Sequence, residues 1–246
     1  MSSPTNHKLG REGLFYYTFR NELVECNYTC QNQVNEELDF ISSEPFIDTP
    51  SSETEVELLS STLEGCFQYG SEANNAIHKV TLYVDQPNPG TRSPWEPITN
   101  VGHAFIGMEQ TIDGQTISLV LGFYPKAGTG GNPWDPEAEG VFHNDGSHGY
   151  DVSITSSITK EQFQSIRFAI LDWNGDNYNL NSANCTHFAI YAFEATGITL
   201  PRTYQEWPLG GGLNPGDLGE DLRAMALGQG MTRNTTGGLA PSTTCD

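Results

Sequence analysis

The segment VGHAFIGMEQTIDGQTISLVLGFYP, residues 101–125, restricts the fold more than any other stretch of the chain. It reads as two apolar strands joined at Asp113-Gly114, a dipeptide that tolerates the positive φ angles of a two-residue type I′ turn. Such a turn fixes the register: Ile112 faces Gln115, Glu109 faces Ser118 and, counting outward, His103 faces Tyr124. A lone hairpin is marginal in water, so other elements must cover it. A strand over His78 to Val84 precedes it and another over Tyr150 to Thr155 follows. Two amphipathic helices come next. The first begins at Thr159, which forms a capping box with Gln162, and aligns Phe163, Ile166, Ile170 and Trp173 on one face. The second runs from Cys185 to about Ala195, capped by Asn184 and stopped at Gly197, with Pro201 beyond. This order of elements predicts an α+β fold with a small antiparallel sheet packed on helices.

The flanks differ in composition. Residues 1–76 are polar and read as an N-terminal helical or irregular extension, with helical stretches around Glu36 to Ile41 and Thr54 to Leu63. Residues 77–208 form the main domain, and residues 209–246 a Gly-rich C-terminal tail with a short helix at Leu218 to Leu227. The last fifteen residues are expected to be loose. Within the main domain, DQPNPGTRSPWEP carries four prolines and excludes regular structure. Residues 126–149, rich in Gly, Pro, Asn and Asp, read as a long loop of the kind that covers a site.

The net charge of −20 repels phosphate backbones and argues against nucleic-acid partners and against docking on anionic membranes. No run of about 18 apolar residues exists, so no transmembrane segment is expected. The N-terminus lacks the apolar core of a signal peptide, which leaves cytoplasmic synthesis followed by export through a route that needs no such leader as one expectation. Five cysteines, Cys26, Cys30, Cys66, Cys185 and Cys245, leave at least one unpaired. Two bridges plus a free Cys185, or five reduced thiols, both satisfy the count.

Cys185 opens a helix, in SANCTHFAIYAFEATGI. There it meets unpaired N–H groups and the positive end of the helix dipole, which favour thiolate and can hold an oxyanion. A buried structural cysteine would also fit this segment alone. Among six histidines, His187 is two residues along the same helix and points elsewhere, whereas His103 lies in an apolar strand (VGHAF). A strand histidine needs a core hydrogen bond or a catalytic role.

GHAFIGM on a strand, a hairpin partner, and then NCTHFA opening a helix resemble the circularly permuted branch of the NlpC-type papain-like superfamily, in which the histidine strand precedes the cysteine helix. NCTHFA is similar to the cysteine motif of lecithin:retinol acyltransferase-like proteins. The resemblance covers roughly residues 78–201. It implies a papain-like core, Cys185 as nucleophile and His103 as base. It also implies a third polar residue on the strand opposite the histidine, where a histidine is usual and Tyr124 stands here. His148 or Asp151 are the other candidates for that role, and with Asn184 are candidate substrate or loop residues.

Asp172, Asn174 and Asp176 alternate like a calcium loop, but Asn177 and Ala183 stand where that loop needs Gly and Glu. His143, Asp145 and His148 cluster in VFHNDGSHGYD without metal-ligand spacing and read as a polar loop. No metal and no cofactor is expected. The expected function is thiol-dependent hydrolysis of an amide or peptide bond, on a peptide, peptidoglycan or acyl substrate. An antibacterial effector acting on cell wall would have a carrier, export-machine or immunity protein as partner. Lipid acyl hydrolysis or transfer on the same fold is the alternative, and a catalytically inactive papain-like binding module is another.

Overall fold

A computed structural model of the chain describes residues 15–19, 22–26, 59–68, 75–95, 100–207 and 209–245. The chain divides into two compact units, Met1–Pro45 and Phe46–Asp246. In the first, β1 (Phe15–Phe19) and β2 (Glu22–Cys26) pair antiparallel, from Phe15 opposite Cys26 to Phe19 opposite Glu22. A hairpin therefore stands where helical or irregular structure was expected, in keeping with the β preference of Phe, Tyr, Thr and Val. The helix expected around Glu36 to Ile41 lies outside the described residues.

The second unit begins with α1 (Leu59–Cys66) and β3 (Ile77–Asp85), followed by the hairpin β4 (His103–Ile112) and β5 (Gln115–Pro125). Asp113 and Gly114 take φ of 51° and 78°, as the type I′ turn requires, and Ile112 faces Gln115 and Glu109 faces Ser118. Next come β6 (Glu137–Asn144), β7 (Gly149–Tyr150), β8 (Val152–Ile158), α2 (Lys160–Trp173), β9 (Asn177–Asn179) and α3 (Cys185–Glu194). The chain closes with β10 (Gln205–Trp207), β11 (Gly210–Gly212), α4 (Pro215–Ala224), β12 (Met231–Asn234) and β13 (Gly238–Leu239).

The molecule is α+β, built on one seven-stranded antiparallel sheet of order β12-β8-β3-β4-β5-β6-β9. This sheet is larger than the small one expected, for two reasons. Part of the presumed loop 126–149 is strand β6, which pairs with β5 from Leu121 opposite Asn144 to Pro125 opposite Gly140. A side chain at Gly140 would overlap the Phe123 ring, so this glycine admits the packing rather than breaking the strand. The presumed tail supplies the other addition: β12 pairs with β8, and β13 pairs with β7.

The two faces of the sheet have different fates. One carries Val80, Leu82, Val84, Ala104, Ile106, Met108, Leu119, Leu121 and Phe123, all buried beneath the helices. Phe163, Ile166 and Ile170 of α2 and Phe188, Ala189, Ala192 and Phe193 of α3 pack on it. Both helices begin as their sequences require, with the Thr159–Gln162 capping box on α2 and Asn184 as cap of α3. The opposite face carries a ladder of rings. Tyr83 lies 5.0 Å from Phe105, Phe105 5.4 Å from His103, and His103 4.3 Å from Tyr124, centroid to centroid.

Residues 209–245 are not a loose tail. They form α4, β12 and β13, then run back to a disulfide between Cys66 and Cys245. Glycines at φ 79° (Gly230) and 73° (Gly237) make the reversals that bring the segment back. Of the two bridges allowed by the cysteine count, this one is formed and Cys185 is a free thiol.

Candidate active site

Cys185, His103 and Asp145 converge at the end of the sheet where α3 begins, and all three are buried, at 8%, 1% and 0% exposure. Cys185 is the first residue of α3. The Asn184 side-chain oxygen accepts from the amides of Thr186 (2.9 Å) and His187 (3.2 Å). Its Nδ2 donates to the carbonyls of Leu180 and Leu213, both at 2.8 Å. One side chain thus caps the helix and ties it to two neighbouring segments. The Cys185 amide, in the first turn, has no intrahelical acceptor and is available to an incoming oxygen.

His103 is the first residue of β4. Its Nε2 donates to Asp145 Oδ2 at 2.9 Å, which leaves Nδ1 as the nitrogen that can serve the neighbouring Cys185 thiol, a group that acts electrostatically on the ring. Burial opposes charging the ring, but the Asp145 carboxylate and then Cys185 outweigh it and raise the imidazole well above its ordinary value. Burial likewise pushes the Cys185 thiol up, yet His103, the Ala104 amide and Thr186 outweigh that and bring it below its ordinary value. Both directions favour the thiolate–imidazolium form of this coupled pair.

Asp145 follows β6, and its backbone is fixed on both sides. Its amide donates to the Val120 carbonyl (3.0 Å), and its carbonyl accepts from the His148 amide (3.0 Å). The second carboxylate oxygen accepts from the Tyr124 hydroxyl at 3.0 Å. Tyr124 was expected to orient the histidine directly. It lies flat against the His103 ring and reaches the site through Asp145 instead. His148 packs edge-on to His103 at 5.5 Å and its Nε2 is 3.9 Å from Asp85. Asp151 accepts from the Gln86 amide at 2.8 Å and so pins the start of the 86–95 loop. The carboxylate on the histidine is Asp145, rather than Tyr124, His148 or Asp151. One signal in the sequence marks a close approach at this point of β5, without naming its partner. Gly122 interrupts a strand of bulky residues on the face that carries His103, and a Cβ there would overlap both Asp145 Oδ2 and His103 Nε2. A lone strand glycine marks the close approach of another group.

A small cleft of about 40 Å³ opens onto Cys185. Trp95, Tyr178, Leu180, Trp207 and Leu213 give it apolar walls. Burial and the Cys185 thiolate hold the Tyr178 hydroxyl well above its ordinary range, so it enters the site as a neutral phenol. His187, half-buried beside the cap, is lowered to about 4 by burial and by Arg202, and is neutral at pH 7. Among the described residues no group of three or more His, Cys, Asp or Glu is arranged to hold a metal ion. Nor is any described helix long and apolar enough to cross a membrane. Comparisons with family models, with curated proteins and with solved structures returned no match.

Proposed function

We propose that the chain is a cysteine hydrolase of amide or peptide bonds, on a permuted papain-like core, with Cys185 as nucleophile, His103 as acid and base, and Asp145 as the residue that orients His103. The observation that carries this reading is the buried relay itself. A thiol at a helix start neighbours, and is electrostatically coupled to, an imidazole whose Nε2 is 2.9 Å from a fully buried carboxylate. The Cys185 thiolate attacks the carbonyl carbon, and the Cys185 amide takes the developing oxyanion. His103 gives its Nδ1 proton to the leaving amine as the tetrahedral intermediate collapses to a thioester. It then removes a proton from water, which attacks the thioester, releases the acid and returns the thiolate–imidazolium pair. Asp145 stays ionised throughout and holds the ring with Nδ1 toward sulfur.

A second reading, hydrolysis or transfer of a lipid acyl group by the same thiol, is favoured by the apolar walls of the cleft, Trp95, Trp207, Leu180 and Leu213. The two are separated by acid-quenching the protein with peptidoglycan fragments or with acyl lipids and weighing the peptide that contains Cys185. A thioester adduct and free amine from the wall fragments, both absent in Cys185→Ala, support the first reading. An adduct from lipid alone supports the second. No adduct and no product from either class contradicts both. A wall substrate would fit an exported antibacterial role with an immunity protein as partner.

A further inference from the structure

Behind the Asp145 loop lies a short strap, residues 240–245, that the hydrolase reading does not use. Strand β6 leaves β5 at Asn144, opposite Leu121, so Ser118 and Val120 would present open backbone groups at that edge. The strap takes over there. The Thr244 amide donates to the Ser118 carbonyl at 2.9 Å and the Ser118 amide to Thr244 Oγ1 at 2.9 Å. The Val120 amide donates to Thr243 Oγ1 at 3.2 Å. The Ser147 amide donates to the Pro241 carbonyl at 3.3 Å, and the Ala240 amide to the His148 carbonyl at 2.8 Å.

Thr243 occupies the central place in this arrangement. Its hydroxyl accepts from the amide of Val120, whose carbonyl accepts the Asp145 amide. The same hydroxyl donates to Asn144 Oδ1 at 2.6 Å, and that oxygen accepts from the Gly146 amide at 2.9 Å. One hydroxyl therefore fixes the residues on both sides of Asp145 and the strand to which Asp145 is bonded. A side chain on Gly146 would press on the Thr243 amide, so the loop and the strap are in close contact. Two residues beyond Thr243, the strap ends at Cys245, bonded to Cys66 at the end of α1.

We propose that Thr243 is a positioning residue for Asp145, and that the Cys66–Cys245 disulfide holds the strap that carries it, so the reactivity of Cys185 depends on that bond being formed. The inference rests on the hydrolase reading. Reduction by an external dithiol would pass two electrons and two protons to the bond, giving two thiols on the chain and a disulfide on the reductant. The released strap would free the Asp145 loop while leaving Cys185 and His103 in place. Chain made in a reducing compartment would be held in the less reactive form and would gain reactivity on oxidation.

The test is site-resolved alkylation of Cys185 by iodoacetamide across pH, read by mass spectrometry on the folded protein. Thr243→Val keeps the disulfide and the shape but removes the hydroxyl. It is expected to move the pH midpoint of Cys185 alkylation up by about one pH unit, about tenfold in thiolate at the acid end. Thr243→Ser is expected to restore the native profile, which a purely packing role for the side chain would not. Cys245→Ser, which needs no reductant, is expected to move the profile in the same direction as Thr243→Val. Native profiles in both Thr243→Val and Cys245→Ser would overturn the inference while leaving the hydrolase reading intact. A wild-type Cys185 that alkylates as an ordinary thiol would instead overturn the hydrolase reading.

Discussion

Gly122 has little freedom to change, although it does no chemistry. The room above its Cα is filled by the Asp145 carboxylate and the His103 ring. Gly122→Ala is expected to push these two apart, cost about 1–3 kcal/mol by overpacking, and slow Cys185 alkylation near neutral pH. Urea denaturation and alkylation of the same preparation check this. Native reactivity in a stably folded Gly122→Ala would show that the His103–Asp145 contact does not tune the thiol. Gly122 also shows what was legible at this scale. Cys185 and His103 were readable because helix-start and strand positions are local properties. Asp145 was not, because its place opposite the imidazole depends on a loop whose anchors, Val120 and Thr243, lie far from it in sequence.

At the scale of elements, the parts read correctly were those that local rules determine. The two-residue turn set the β4–β5 register, and the Thr159 box and Asn184 cap set the starts of α2 and α3. Strand β6 was missed because Gly140 and the surrounding turn residues read as loop, whereas the Phe123 ring needs that glycine. The start of α3 is the element on which the site depends most. Asn184→Ala removes the cap and leaves the Leu180 and Leu213 carbonyls without their donor. The expected cost is about 2 kcal/mol, the upper part of the range for a lost cap. Chemical denaturation gives the value. A cost of a few tenths of a kcal/mol would mean that backbone packing alone holds the helix start.

At the scale of the molecule, the Gly-rich end has the composition of a mobile terminus yet is ordered. The disulfide and the β12 and β13 pairings tie it down, and none of these is a local property. The Cys66–Cys245 bond closes a loop of 179 residues. Chain-entropy arguments put the stabilisation from a loop of that length at about 5 kcal/mol. Reduction is therefore expected to lower the urea midpoint clearly, and an unchanged midpoint would show that the reduced unfolded chain is already compact.

The central claim, a thiolate–imidazolium pair at Cys185 and His103, is tested most directly by the pH dependence of Cys185 alkylation in wild type and in His103→Ala. A thiol whose pKa is lowered in the folded state remains thiolate as pH falls below its unfolded value, and loses that form only on passing through the lowered value. Wild-type alkylation is expected to stay fast below the ordinary thiol pKa of about 8.5, and His103→Ala to return the profile to that ordinary range. A wild-type profile that already follows an ordinary thiol, or a Cys185 that alkylates only after unfolding, would contradict the central claim.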